Sequence, residues 1–280
     1  MNIHKVLLTG GSGLTGRTLA PMLKTKYDVT HFEMTDPGDG LPFVQGDLRS
    51  SQDVAAACVG MDAIVHVAAL HGRAWNEAGD DVGFEVNVVG AKNILEAAAA
   101  AGVKRVLFTS SIWATGHGSP APPSMPIDED LDREPRELYG LTKILGEQMC
   151  RYASANSALS TIVLRPGGIR PAELYAPGEA CYLFGAVDVR DVAQAHMLAL
   201  EAPEEVHHDV FLATTDSPLK ETDPAALQAD PAAVLEAVAP GAGKLVEQGK
   251  IEVPGEAEWY TVAKGRRVLG YEPQYGFVVS

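Results

Sequence analysis

The chain has 280 residues, 46% hydrophobic and 21% charged, with 22 basic against 37 acidic side chains and a formal net charge of −15. Its apolar content is ample for a buried core and excludes disorder as the main state, and its length fits one large domain or one domain with a small appendage. So large a negative charge argues against nucleic acid and anionic membranes as partners, and Cys58, Cys150 and Cys181 are too widely spaced to frame a disulfide scaffold or a zinc site. The first residues carry no signal-peptide cleavage pattern and no apolar run reaches membrane-spanning length, so the expected location is the cytoplasm.

In chain order, residues 3–9 form a short apolar run ending in glycines, and helical periodicity begins near Leu14. This pattern predicts a buried strand, a tight turn and a helix. Pro21 falls inside the helix, where it predicts a kink. Strands are expected over 27–33, 43–45, 63–68, 106–109 and 160–164, and helices over 88–101 and 139–153. Short apolar strands alternating with helices imply a parallel sheet covered on both faces. The stretch 116–138 is rich in proline and acid and is long enough to be a lid. After residue 215 the pattern loosens, with short helices expected over 221–241 and a small packed tail over 256–273.

The turn after the first strand reads TGGSGLTG and places Gly10, Gly13 and Gly16 at even spacing. Glycine there permits a tight turn, close approach of the backbone to a pyrophosphate, and close seating of helix on strand. The helix N-terminus then offers unpaired N–H groups to phosphate. Glu33 ends the next strand about 20 residues on, where an acid meets the adenine ribose. A carboxylate accepts from the 2′-hydroxyl and repels a 2′-phosphate, and Met34 and Thr35 supply no arginine for one. NAD is therefore expected rather than NADP, with Asp36 a rival to Glu33 for the ribose.

Tyr139 and Lys143 stand four apart on an expected helix and share one face. A lysine ammonium and a positive nicotinamide ring beside a phenol favour its phenolate, and Ser111, ending the fifth strand, can hold the reacting oxygen. Tyr260 and Lys264 repeat the spacing in YTVAK near the C-terminus with no strand-ending serine before them, and are expected on a surface helix.

Together these residues resemble the extended short-chain dehydrogenase/reductases, also called the NAD-dependent epimerase/dehydratase family. The matching pieces are TGGSGLTG (9–16), GDL (46–48), HVAA (66–69), NVVGAKNILEAA (87–98), TSS followed by a glycine (109–116), YGLTK (139–143), LRPGG (164–168) and VDVRDVAQA (187–195), with LGYEP (269–273) near the end. The resemblance implies a Rossmann-type doubly wound parallel α/β sheet with a small C-terminal substrate-binding portion. The dinucleotide-binding core would occupy 1–163, completed by about 187–214, and the substrate portion 164–186 and 215–280. It further implies that Tyr139 is the base, Lys143 grips the nicotinamide ribose, and Ser111 holds the substrate oxygen. Asp47 and Leu48 would lie beside the adenine, and Leu14, Thr15, Ala68, Ala69, Asn87 and Pro166 elsewhere along the cofactor. A homodimer through the helix beginning at Tyr139 is also implied.

Two departures bear on substrate. The stretch from Arg165 to Asp191 is too short for the insert that grips nucleotide sugars in such enzymes. Ile112 and Trp113 follow Ser111 where the dehydratase branch has an acid pair. The short layout resembles uronate dehydrogenases, although those carry an Asn-His pair after the serine. The expected substrate is a small polar molecule such as a sugar or sugar acid. His71, Arg73 and Trp113 are its candidate contacts, with Arg170 near the place of a carboxylate-binding arginine. Trp75 is a further candidate for stacking, and His207-His208 is expected to be an exposed pair rather than a metal ligand. The leading expectation is an NAD-dependent alcohol or aldose dehydrogenase. An epimerase holding NAD tightly and a non-catalytic dinucleotide sensor are the alternatives, and a sensor has no use for the Tyr/Lys pair.

Overall fold

The computed structural model describes residues 1–116, 125–131 and 134–279. Much of the expected lid, namely 117–124 and 132–133, lies outside the described residues. The first half runs β1 (Lys5–Thr9), α1 (Leu14–Leu23), β2 (Asp28–Glu33), β3 (Phe43–Gln45), α2 (Ser51–Cys58), β4 (Ala63–His66), α3 (Gly72–Ala78), α4 (Asp80–Phe84), a π-helical turn (Glu85–Val89), α5 (Gly90–Ala101) and β5 (Arg105–Thr109). The second half runs α6 (Leu138–Asn156), β6 (Ser160–Pro166), β7 (Gly168–Arg170), β8 (Ala186–Asp188), α7 (Val189–Leu200), β9 (His208–Ala213), α8 (Pro224–Ala229), α9 (Pro231–Val238), α10 (Ala242–Glu247) and α11 (Ala263–Leu269).

Seven parallel strands form one sheet in the order β3-β2-β1-β4-β5-β6-β9, and β7 pairs with β8 in a small parallel ribbon. The chain thus moves outward from β1 in one direction and, after β3, crosses back to build the other half. Such a reversal opens a crevice at the carboxyl ends of the strands beside β1 and β4. The fold is the expected Rossmann-type sheet.

Both sheet faces are buried. One carries Val6, Leu8, Val65, Leu107 and Ile162 against α1 and α7, and the other carries Leu7, Ile64, Val106 and Val163 against α2 and α5. A separate apolar cluster joins Leu183, Leu219, Leu227, Leu235, Ile251 and Trp259 in the C-terminal part. Local signals start and stop the helices. The side chains of Ser50, Asp188, Asp223 and Asp230 accept backbone N–H bonds at the starts of α2, α7, α8 and α9. Gly102, left-handed at φ +73°, ends α5.

Several sequence expectations need correction. α3 and α4 have only seven and five residues, too short for a period to register. The helix expected over 88–101 is preceded by the π-helical turn. β7 and β8 have three residues each and were not anticipated. Tyr260 is 2% exposed and precedes α11 rather than lying on a surface helix, while Lys264 pairs with Asp209. The histidine pair is not simply exposed: His208 Nδ1 meets Thr161 Oγ1 at 2.7 Å and is half-buried.

Two buried histidines tie the strand ends. His66 Nδ1 lies 2.8 Å from Thr9 Oγ1, joining β4 to β1. His196 Nδ1 faces the Val192 carbonyl at 2.8 Å, so it carries the proton, and Nε2 accepts from Thr109 Oγ1 at 2.8 Å. Burial keeps both neutral, pushing His66 down to about 3 and His196 to about 4. In the unfolded chain each protonates near 6.5, so their contribution is complete above that pH and is lost as pH falls toward the folded values. At about pH 5 the two together are expected to withdraw about 4 kcal/mol of stability. Calorimetry between about pH 7 and 5 should show a falling melting temperature, and His196→Gln should remove roughly half of the slope. A flat profile contradicts this account.

Candidate functional site

A cleft of about 1030 Å³ opens at the carboxyl edge of the sheet, running from the glycine turn at one end to Tyr139 at the other. The turn works because side chains are missing. Gly10 has φ +78°, and a Cβ there would lie 2.6 Å from the Ala68 nitrogen. A Cβ on Gly16 would lie 2.1 Å from the Gly10 carbonyl oxygen. β1, α1 and the β4 end are therefore closed on one another, with bare backbone facing the cleft at the start of α1. That arrangement fits the pyrophosphate of a dinucleotide.

Glu33 and Met34 line the same end. The Glu33 carboxylate accepts from the Ser12 N–H at 3.3 Å, and burial raises its pKa against the opposing pull of the turn amides. Asp36 instead accepts from the Gly38 N–H at 2.8 Å and is not among the residues lining the cleft. Among the described lining residues no arginine or lysine stands at this end. Asp47 also lines it, with its carboxylate held by Arg49 at 2.6 Å and its pKa lowered by that contact.

The other end gathers Ser111, Tyr139 and Lys143. Ser111 caps the short 3-10 turn after β5 and accepts from the Trp113 N–H at 3.2 Å. Its hydroxyl lies near enough to the Tyr139 phenol to lower that group's pKa. Two glycines let α6 come close. A Cβ on Gly140 would lie 2.8 Å from the Trp113 carbonyl oxygen, and one on Gly146 would lie 2.2 Å from the Phe108 ring. Lys143 is 3% exposed, and its Nζ donates to the Thr109 carbonyl at 2.8 Å and lies 5.6 Å from the Tyr139 ring centre. Burial lowers the Lys143 pKa to about 8, with Glu147 opposing the fall. Burial pushes Tyr139 up to about 12, against the pull of the Ser111 hydroxyl. From the protein's own groups, desolvation of the phenol thus outweighs the help that the sequence reading assigned to the lysine.

The cleft brings together Gly10, Gly13, Leu14, Thr15, Glu33, Asp47, Leu48, Ala68, Ala69, His71, Ser111, Trp113, Tyr139, Lys143 and Pro166. Gly16 and Asn87 stand behind its wall. Asn87 exchanges two hydrogen bonds with the Leu70 backbone at 2.8 and 2.9 Å and reaches Thr142 Oγ1 at 3.3 Å, so it joins the loop after β4 to the N-terminal part of α6. Arg73 and Arg170 are not brought to the cleft. The Arg73 side chain is 90% exposed and paired with Glu77 along α3, and Arg170 stands on β7 with Nε buried and unpartnered. Trp75, 8% exposed, packs edge-on to Tyr139 at 6.2 Å and donates from Nε1 to Asp80. The sequence reading overlooked Leu70, Asn76, Asp80 and Glu137, which also line the cleft. It also passed over Glu147, four residues beyond Lys143, although helical spacing puts both on one face.

This geometry defines a dinucleotide-binding α/β protein with a hydroxyl, a phenol and an ammonium at the far end of its cleft. The chain belongs to the NAD dependent epimerase/dehydratase family, whose sequence pattern matches residues 6–180. It is 35% identical over 191 residues to short-chain dehydrogenase/reductase family 42E member 1 of Danio rerio, covering 64% of this chain and 48% of that one. The chain thus spans about half the length of the curated relatives it matches. Among solved structures, it is similar to a short-chain dehydrogenase/reductase superfamily protein from Agrobacterium tumefaciens with bound NAD. The TM-score is 0.75 at 26% identity, over 97% of this chain and 93% of that one. It shares the fold of a mutated uronate dehydrogenase, with a TM-score of 0.70 at 24% identity over 98% and 82% of the two chains.

The glycine turn gives a direct test. Gly10→Ala must either abandon its positive φ or push the β4 end away, at a cost of about 1–3 kcal/mol. NAD affinity, read by quenching of tryptophan fluorescence, is expected to fall at least about tenfold while the chain stays folded. Unchanged affinity would show that the turn does not seat the cofactor.

Proposed function

We propose that this chain is an NAD-dependent dehydrogenase that oxidises a hydroxyl of a small polar substrate such as a sugar or sugar acid. The observation that carries the reading is the convergence of Ser111, Tyr139 and Lys143 in the same cleft as the glycine turn and Glu33. When bound, NAD supplies the hydride acceptor and a positive ring beside the site. Ser111 donates to the substrate oxygen and fixes its distance from the phenol. Tyr139 takes the hydroxyl proton at its phenolic oxygen, and the Lys143 charge stabilises the phenolate that precedes the transfer. Trp75 and His71 crowd the Tyr139 ring from the cleft side and keep bulk water from it.

Among the described residues, Lys143 is the sole lysine or arginine on the cleft wall, whereas Asp80 and Glu137 line it as acids. This supports an uncharged sugar over a sugar acid. A less polar secondary alcohol is a second reading, favoured by Leu70, Val86, Leu138, Ile169 and two tryptophans along the same wall. The reading includes a cytoplasmic homodimer, for which Leu141 and Tyr152 stand exposed on α6 at 39% and 71%.

A screen with NAD, and separately NADP, over aldoses, uronic acids and a hydroxysteroid should show NADH accumulating with one class. Tyr139→Phe is expected to cut that turnover by at least about a hundredfold with NAD binding intact. Full activity in the variant would sink the assignment. Interconversion of sugars without NADH release would make the protein an epimerase, and NAD binding with no turnover of any compound would favour the sensor.

A further inference from the structure

Beneath the site lies a second, fully interlocked polar group. Glu147 is 7% exposed, and a carboxylate so placed is costly unless it is paired. Arg165, at the end of β6, chelates it, Nε donating to Oε1 at 2.9 Å and Nη2 to Oε2 at 2.7 Å. The Ser110 hydroxyl adds a third hydrogen bond at 2.5 Å. Arg165 also donates from Nη1 to the Glu129 carbonyl at 2.9 Å, and the Glu129 carboxylate accepts from the Leu212 N–H at 2.9 Å. α6, β6 and the residue after β5 therefore meet at the Glu147 carboxylate, and Arg165 extends the network through Glu129 to β9.

Its neighbours are those that the chemistry uses. Ser110 immediately precedes Ser111. Glu147 stands one helical turn beyond Lys143, as Lys143 stands one turn beyond Tyr139. Among the described residues, the groups around the ammonium are otherwise neutral or aromatic: the Thr109 carbonyl, the Phe108 ring at 5.3 Å, Tyr139, and the histidines 66 and 71, whose protonation its charge opposes. Glu147 is the anion that acts on it. On its far side Glu147 faces Cys150 and His208, pushing the thiol up and opposing the fall of the imidazole.

We propose that Glu147 is a positioning residue of this site: clamped by Arg165 and Ser110, it keeps the Lys143 ammonium charged from one turn away and fixes the β5 end that presents Ser111. Its link to turnover rests on the Ser111, Tyr139 and Lys143 reading, whereas its electrostatic part concerns this chain's own residues alone.

A side-chain NMR titration of the full chain with isotope-labelled lysine tests that part, the Lys143 signal being assigned by its loss in Lys143→Met. Glu147→Gln leaves Arg165 an uncompensated cation and should lower the Lys143 midpoint from about 8 by about one unit, a tenfold change in proton affinity. Arg165→Gln leaves the carboxylate uncompensated and should raise it. Opposite signs distinguish the proposal from simple loosening, which wets the lysine and moves both variants upward toward its ordinary value. Glu147→Asp keeps the charge and should keep the midpoint near that of the parent chain, and where the glutamine variant does not fold, an Arg165→Gln midpoint that fails to rise overturns the proposal. An unmoved or raised midpoint in a folded Glu147→Gln overturns the proposal. With a turned-over substrate, the alkaline limb of kcat/KM should follow the NMR midpoint in each variant. A midpoint that moves as expected while Tyr139→Phe retains activity would uphold the coupling and overturn the catalytic reading instead.

Discussion

Lys143 carries a charge into the seam between β5 and α6, where one backbone carbonyl and two aromatic rings are its immediate contacts. A buried ammonium of this kind is tolerated only where the surrounding dipoles are fixed, and much of the local architecture does that fixing. Gly146 lets α6 settle onto Phe108, which brings the ammonium within reach of the Thr109 carbonyl. The Thr109 hydroxyl is in turn held by His196 from α7, so the end of β5 is pinned from the opposite face of the sheet. The same close seating, through Gly140, brings the Tyr139 phenol to Ser111.

The glycine turn imposes a matching constraint at the other end of the cleft. There the backbone is brought close by removing side chains, and the Thr9 hydroxyl bonds both the His66 ring and the Ala68 N–H, so β1 and β4 end in register. One rigid sheet edge thus carries both ends of the site at a fixed separation. Preorganisation of this sort places charge and donors before any substrate arrives, so little reorganisation remains for the reaction itself.

How much of this was legible depends on how local each signal is. The glycine turn, the acid at the end of β2 and the Tyr139 and Lys143 pair are written in short stretches whose residue types have direct physical reasons, and the strands of the sheet are short apolar runs. Arg73 misled because α3, a helix of seven residues, carries no clear period; once it forms, Glu77 stands one turn away and takes the guanidinium. Arg170 misled because β7 and β8 are too short to read, and their pairing sets which side of the cleft each residue faces. Tyr260 shows the limit of spacing, since burial and its bridge to Ile127 come from tertiary contacts that the YTVAK stretch does not encode. The interlock at Glu147 draws on α6, β6, the residue after β5 and the segment 125–131, and no window of sequence contains it.

The π-helical turn at Glu85–Val89 has a consequence for how this helix tolerates change. A widened turn holds one more residue than an α-helical one and takes it up locally. Here it allows α4 to present Gly83 to the Trp75 ring while α5 presents Ala91, Ile94 and Leu95 to the core, with Asn87 at the junction reaching both Leu70 and Thr142. Because the extra residue is taken up within the widened turn, one residue fewer there would close it to a regular helix with both halves still facing as they do, whereas one residue more or fewer within α4 or α5 would turn the two halves out of phase by about 100°. A one-residue change in length is therefore taken up at this turn and not along the regular helix on either side of it.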